Sequence, residues 1–381
     1  MNPPASVLEH ASLGPITEDE AHALAAFDTD ALCEAARARR DRVFGATLTY
    51  SPKVFLPITN LCRNRCDYCS FRRSPGDPGE WTMSPEEIRS WLARARQQGC
   101  VEALFCLGDT PETGFREYRA LLRSWGHETT VDYLRWAAEE AISAGLLPHT
   151  NAGILSREEM IRLRPVNVSL GLMLENVSER LCNKGMPHHK APDKRPNRRI
   201  RMTAEAGELR IPFTSGLLVG IGETVEERID TILTIRRLHR AHGHIGEVIV
   251  QNFRAHPDTP MGLAREPRAS ELAATVAMAR LLLDDDISVQ APPNLSPASV
   301  ASLINAGIND FGGISPVSPD YINPQHPWPY LDRLGEACAA EGFRLRPRLP
   351  VYAPHLRESG FIDPALRPKV ERLHAELAIT P

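Results

Sequence analysis

The sequence has little that would mark it for nucleic acid, membrane or export. Its 44 Lys and Arg fall short of its 48 Asp and Glu, for a formal charge of −4, whereas nucleic-acid binders ordinarily carry a basic surplus. No apolar run approaches the roughly 20 residues that span a bilayer. The start, MNPPASVLEHASLG, lacks the basic head and apolar core of a secretory signal. Aromatic residues make up only 6% of the chain, and no low-complexity tract divides it. These absences predict a cytoplasmic protein with no nucleic-acid and no membrane partner. What remains, 42% hydrophobic and 24% charged over 381 residues, is ordinary globular composition at a length that one α/β barrel can use.

Cysteine is sparse too. Eight occur, at 33, 62, 66, 69, 100, 106, 182 and 338, too few for a secreted disulfide scaffold. Three of them, Cys62, Cys66 and Cys69, nevertheless fall within eight residues. That cluster points to metal or redox chemistry, and the other five read as buried small hydrophobes.

Along the chain, residues 1–48 read as a helical extension, with a capping box at Thr17–Glu20 opening an Ala/Leu-rich run to about Arg40. Eight apolar segments then alternate with helical patterns: Val54–Thr59, Ala103–Leu107, Leu147–Thr150, Val168–Leu174, Phe213–Val219, Glu247–Phe253, Ile287–Ala291 and Ile308–Ile314. Ser84-Pro85-Glu86-Glu87 is a helix start, and Val225–Arg240 and Ser270–Leu283 are amphipathic. Strands alternating with helices predict an α/β fold with parallel pairing, a (β/α)8 TIM-type barrel over 49–345, with a C-terminal tail over 346–381 packed on it. A partial barrel and an open doubly wound sheet are the alternatives. Polar or glycine residues follow nearly every apolar segment, as active-site residues do at the C-terminal ends of barrel strands.

Directly after the first segment reads Cys62-Arg-Asn-Arg-Cys66-Asp-Tyr-Cys69, a CxxxCxxC spacing. Three close thiolates suit three irons of a [4Fe–4S] cluster, leaving the fourth open to another ligand. Zinc is the competing reading, but no His occurs between His22 and His127 to complete four ligands. A redox pair of Cys66 and Cys69 would leave Cys62 unexplained.

CxxxCxxC with aromatic Tyr68 before the last cysteine resembles radical S-adenosylmethionine (SAM) enzymes. The resemblance implies that SAM chelates the open iron and is cleaved to methionine and a 5′-deoxyadenosyl radical. It also maps Gly108 and Asp109 to the loop that meets the SAM amino group, and Gly220 and Gly222, in Gly216–Glu223, to a backbone stretch along the adenine. Glu175 falls to the ribose hydroxyls and Arg199 to the SAM carboxylate.

Thr59–Phe71, together with Glu102–Asp109, Pro148–Asn151, Ser169–Glu175, Val248–Arg254, Gln290–Pro297 and Gly312–Pro319, is similar to subunit 1 of the FO synthase family (CofG type). FO is 7,8-didemethyl-8-hydroxy-5-deazariboflavin. That similarity implies a lyase that closes a tyrosine-derived hydroxybenzyl–ribityluracil adduct into the deazaflavin ring. The partner subunit 2 would supply the adduct, and a flavodoxin or ferredoxin-type reductant would supply the electron. Gln251, Asn252, Arg254, Gln290 and Asn294 are then candidates for the uracil edge and ribityl chain. His149 and Asp109 are candidates for proton transfer, while Met173, Phe253 and Trp328 read as core packing. A barrel of the menaquinone-pathway or biotin-synthase kind, or a non-catalytic zinc protein, is the alternative. The basic segment 184–201 reads as a solvated loop, with a lid or a reductant-docking surface as the functional alternative.

Overall fold

The computed structural model describes residues 5–296 and 300–379; residues 1–4, Pro297 of the Gln290–Pro297 block, and residues 380–381 of the tail lie outside them. Eight parallel strands close into a barrel: β1 Thr47–Thr59, β2 Glu102–Leu107, β3 Leu147–Asn151, β4 Ser169–Gly171, β5 Phe213–Val219, β6 Ile245–Asn252, β7 Ser288–Gln290 and β8 Asp310–Ile314. Each pairs with the next, and β1 pairs with both β8 and β2, so the eight form a ring with no free edge. The (β/α)8 barrel is complete, and the partial-barrel and open-sheet alternatives do not hold.

Helices form where the local chemistry predicts. Ser84 accepts from the Glu87 amide while the Glu87 carboxylate returns to the Ser84 amide, opening a helix over Pro85–Gln97. Thr224 and Glu227 cap Val225–His242 in the same way, and Gly243 ends that helix with φ of 66°. The N-terminal run is not one helix. Thr17 opens only a short turn, Glu18–Ala21, and Asp28 then caps the Ala31 amide to start a separate helix over Thr29–Phe44. That helix is held against the barrel wall by buried arginines. Arg39 donates to the carbonyls of Leu281 and Leu283, and Arg40 to those of Ile304 and Ile308. Three of the acceptors, on Leu281, Leu283 and Ile304, lie at helix C-termini, where carbonyls lack partners of their own.

β1 runs seven residues further back than the apolar segment showed. Its first half, Thr47–Pro52, makes the pairing with β8 that closes the ring and also carries a ninth strand, β9 Arg344–Pro347. Neither piece carries an apolar run; both are specified by backbone pairing along an otherwise exposed edge. Within the barrel β1 alternates as a strand must. Val54, Leu56 and Ile58 enter the hydrophobic core, and Lys53 and Phe55 face the cleft.

The bottom of the barrel is polar. Arg348, one residue past β9, inserts its guanidinium between Asp310 of β8 (2.5 and 2.8 Å) and Glu247 of β6 (3.0 Å). His149 lies in the same layer, sharing a hydrogen bond of 2.9 Å with the Ser169 hydroxyl. The tail therefore does more than pack on the barrel: it supplies the counter-charge for two buried acids.

Replacing Arg348 with Met should leave Asp310 and Glu247 buried without their cation, a loss of about 3–5 kcal/mol that urea denaturation would register. Acid should also weaken the fold. Burial pushes His149 and His355 down to about 4 and His244 down to about 3. Below an ordinary His pKa of about 6.5 the unfolded chain thus takes up protons that the folded chain refuses. Stability from these three is full above about pH 6.5 and lost as pH falls toward 4. Glu247, raised by burial, acts in the opposite sense over part of that window but is a single group. Thermal melts from pH 7.5 to 4.5 should show Tm falling; a flat profile would contradict this account.

Candidate functional site

At the C-terminal ends of the strands the loops enclose a cleft of about 370 Å³. The cysteine loop leaves β1 and is pinned before it reaches the first thiol. The Asn60 side chain donates to the Gly79 carbonyl at 2.8 Å and accepts from the Trp81 amide at 3.0 Å. Cys62 is wedged against β2: the Asp109 amide donates to its Sγ at 3.2 Å. A Cβ on Gly108 would overlap the Cys62 side chain, so glycine is required there by space. Cys66 and Cys69 close a turn, with the Cys69 amide donating to the Cys66 carbonyl at 3.1 Å. All three thiols are free and line the cleft.

The segment 184–201 holds the far side of this loop, which corrects the solvated-loop expectation. The Arg65 amide donates to the Lys190 carbonyl at 2.9 Å and the Asp67 amide to the Pro187 carbonyl at 3.0 Å. Asp193, fully buried, accepts from Arg63 (2.5 and 2.7 Å) and from Arg198 (2.7 Å). His188 shares a hydrogen bond of 3.0 Å with the Tyr68 hydroxyl. Burial beside Lys194 and Arg199 pushes His188 down to about 3, so it stays neutral.

Two buried ion pairs sit across from the thiols. Arg199 donates to Asp109 at 3.0 Å and also to the carbonyls of Met173 (2.6 Å) and Asp193 (2.9 Å). Asp109 further accepts from Asn64 at 2.7 Å and from the Ile154 amide at 2.6 Å. Lys194 pairs with Glu175 at 2.5 Å. Glu175 and Thr110 hold left-handed backbone, φ 64° and 41°, a strained state for non-glycine residues that clusters at working sites.

Cys62, Cys66, Cys69, Tyr68, Gly108, Asp109, Glu175, Arg199, Gln251, Asn252, Arg254, Gln290 and Asn294 all line this one cleft. Three expected residues do not. His149 belongs to the polar layer at the barrel bottom. Gly220 and Gly222 line a separate cavity beside the N-terminal extension, and the Gly220 and Ile221 amides are taken by the Glu223 carboxylate at 2.7 and 2.8 Å. Met173, Phe253 and Trp328, read as packing, line the cleft instead. Sequence reasoning also missed Lys53, Asn64, Lys194 and Asp320 there. Lys194 lay in a basic run and Lys53 inside an apolar strand, where nothing but the period of two marked it as inward-facing.

Among the described residues no three His, Cys, Asp or Glu side chains converge tightly enough to wrap a single metal ion. Burial pushes the Cys62 and Cys66 thiols up to about 12, so they would ionise only against a strong local positive charge. Three soft sulfur donors on one wall of an open cleft fit the irons of a multi-atom cluster in kind and number. No helix among the described residues is long and apolar enough to cross a membrane.

Replacing Asp193 with Ala should release Arg63 and Arg198 together and loosen segment 184–201 from the cysteine loop. Trypsin cleavage within that segment should then quicken about tenfold, the effect of roughly 1.4 kcal/mol on local opening; an unchanged digest would show that the buried acid does not hold it.

The Radical SAM superfamily profile matches residues 56–235. The 7,8-didemethyl-8-hydroxy-5-deazariboflavin synthase of Methanopyrus kandleri is 45% identical over 327 residues, 86% of this chain and 97% of that protein. The enzyme of the same name from Methanothermobacter thermautotrophicus is 43% identical over 86% of this chain and 98% of its own length. The FO synthase of Nocardia farcinica is 47% identical over 335 residues, but the match spans only 39% of that longer protein. In fold, the chain is similar to the FeFe-hydrogenase maturase HydG of Carboxydothermus hydrogenoformans, with a TM-score of 0.72 at 19% identity, covering 90% of this chain and 79% of that one. Methylornithine synthase superposes with a TM-score of 0.69 at 17% identity over 90% of this chain and 97% of that one. With the thiols, the closed barrel and these relatives in view, the chain belongs to the deazariboflavin (FO) synthase family of radical SAM enzymes.

Proposed function

We propose that this chain is the lyase that closes 5-amino-5-(4-hydroxybenzyl)-6-(D-ribitylimino)-5,6-dihydrouracil into FO, releasing ammonia, with SAM consumed to 5′-deoxyadenosine and methionine. The observation that carries the proposal is the composition of the single cleft. Three free thiols stand on one wall, and Gln251, Asn252, Arg254, Gln290 and Asn294 stand on others, in a chain similar to deazariboflavin synthases over nearly their whole length.

Cys62, Cys66 and Cys69 are the ligands for a [4Fe–4S] cluster in this reading, and the unliganded iron is left for SAM. When bound, the cluster and SAM together supply the 5′-deoxyadenosyl radical that starts ring closure. The protein's own part is positioning. Gly108 lets Cys62 approach β2, and the Asp109 amide donates to the sulfur. Asp109, Glu175, Lys194 and Arg199 offer two charges of each sign at one rim, complementary to the amino, carboxylate and hydroxyl groups of SAM. Arg199 already serves Asp109 and two carbonyls, so it acts by fixing Asp109 as much as by direct contact. The amides of Gln251, Asn252, Gln290 and Asn294 both donate and accept, which matches a pyrimidinedione edge and a polyol chain. Asn294 Oδ1 is buried with no partner among the described residues, an acceptor that a substrate hydroxyl or N–H would satisfy. The apolar walls, Phe253, Met173 and Leu218 among them, keep water from a reactive radical. Subunit 2 is the proposed source of the adduct, and a flavodoxin or ferredoxin-type protein the proposed reductant.

The test is anaerobic turnover of reconstituted protein with reductant, SAM and the adduct made by subunit 2, following 5′-deoxyadenosine, ammonia and FO together. All three should rise in step. Cys62→Ala, Cys66→Ala and Cys69→Ala should each abolish 5′-deoxyadenosine formation, whereas Cys100→Ala, a buried packing residue, should retain it. Deoxyadenosine without FO would move the substrate to another aromatic precursor, and retained turnover in any of the three variants would end the radical reading.

A further inference from the structure

Five Lys or Arg side chains among the described residues line the cleft, Lys53, Arg72, Lys194, Arg199 and Arg254, and Lys53 stands apart from the rest. Lys53 lies on β1, two strands round the ring from β7 and three from β6, where it lines the same cavity as the amide cluster and is 8% exposed. Every other Lys or Arg lining the cleft has an acid in reach: Lys194 with Glu175, Arg199 with Asp109, Arg254 with Glu266 and Arg72 with Asp77. Among the described residues Lys53 alone of this set makes no ion pair and no hydrogen bond.

The acids that stand nearest in the fold are committed elsewhere. Glu102, its register partner on β2, hydrogen-bonds the Ser51 hydroxyl and faces His149 at 3.9 Å. Asp320, which also lines the cleft, accepts from Asn294 at 2.8 Å and from the amides of Ile322 and Asn323 at 2.9 and 3.0 Å. Two aromatic rings flank the ammonium, Phe55 at 5.4 Å and Trp328 at 5.5 Å from their centroids. Rings alone give the ammonium no hydrogen-bond acceptor, so its donors are left for whatever fills the cavity.

The barrel is also shaped around this side chain. Gly313 of β8 has no left-handed backbone, so its conformation does not call for glycine. A Cβ there would overlap Cδ, Cε and Nζ of Lys53. Glycine at 313 leaves the room that the outer half of the Lys53 side chain fills, so a larger residue there would push that end aside. A lysine with a buried stem, no partner and its ammonium at the cavity surface beside two aromatic rings is an arrangement that a ligand completes.

We propose that Lys53 is a substrate-binding residue whose ammonium donates to an electron-rich oxygen on a ring of the substrate, either the phenol oxygen or a pyrimidinedione carbonyl. Both are sp²-bound oxygens that carry partial negative charge, and both gain from a desolvated cation. The flanking Phe55 and Trp328 rings would pack against the ring that bears the oxygen. This inference rests on the function proposed above, and it extends that reading to a residue on the first strand, away from the cysteine loop and the amide cluster.

Binding tests it without turnover. FO, titrated by its own fluorescence into anaerobically reconstituted protein, should bind Lys53→Met about 10- to 100-fold more weakly than the unaltered chain. Gly313→Ala, which keeps the lysine but displaces its end, should weaken FO binding as well. Iron and sulfide content should be unchanged in Lys53→Met, since the residue lies outside the cysteine loop. A second probe, 5-amino-6-(D-ribitylamino)uracil, separates the two oxygens. If Lys53→Met weakens FO but not the uracil, the phenol oxygen is the partner; if it weakens both, the carbonyl is. Unaltered affinity of Lys53→Met for both probes, with the parent chain binding FO, overturns this inference alone. Failure of the parent chain to bind either probe overturns the functional reading and this inference with it.

Discussion

β1 must be hydrogen-bonded along both edges, to β2 on one side and to β8 on the other, and everything functional depends on that closure. Eight parallel strands left open would expose two rows of backbone donors and acceptors, and their C-terminal ends would fan out along a twisted sheet. Closed, they deliver eight loops to one rim. The thiols after β1, Asp109 after β2, Glu175 after β4, Gln251 and Asn252 on β6 and Gln290 on β7 thereby share a single cavity, although nearly 230 residues separate the first from the last. The early start of β1 and the strand β9 beside it serve the same end, since they bring Arg348 beneath the barrel, where Asp310 and Glu247 need a cation.

Charge is distributed with a clear division of labour between the two ends. At the bottom, Arg348 satisfies two acids, and buried neutral histidines such as His149 lie in the same layer. At the mouth the pairs are arranged at the surface of a cavity, where each partner can still meet a bound molecule. Asp109 is the pivot: one carboxylate receives Arg199, Asn64 and the Ile154 amide while its own amide serves Cys62. A change at Asp109 would therefore reach the cysteine loop and the 184–201 segment together. The basic segment is part of this construction. Its positive charge, which in isolation suggested a solvated surface, is partly consumed by Asp193 and Glu175 and partly turned inward through Lys194 and Arg199.

Much of the site was legible in the linear chain because its chemistry is local. CxxxCxxC lies in one loop, and a strand followed by a polar residue repeats around the barrel, so the thiols, Asp109, Glu175 and the five amide and guanidinium candidates could be named in advance. The misplacements share a cause. His149 and Asn151 lie two residues apart on β3, yet His149 faces the bottom layer and Asn151 the cleft, a difference of depth along the barrel axis that residue order alone does not reveal. Gly220 and Gly222 looked like a ligand loop, but they line a separate cavity and the Glu223 carboxylate takes the Gly220 and Ile221 amides. Trp328 and Phe253 were read as packing because aromatic residues usually are; the cavity they wall exists only once β6 and the loop after β8 meet.

The sequence by itself determined the strand–helix alternation, the cysteine triad and the helix caps, since each follows from contacts between residues close in the chain. The tertiary structure decided which cations have partners. Lys194 and Arg199 found acids across the cleft, and Arg348 found two across the barrel floor, whereas Lys53 found none. Pairing of this kind depends on distances between strands that closure of the ring sets, and electrostatic energy depends on distance and burial rather than on order along the chain.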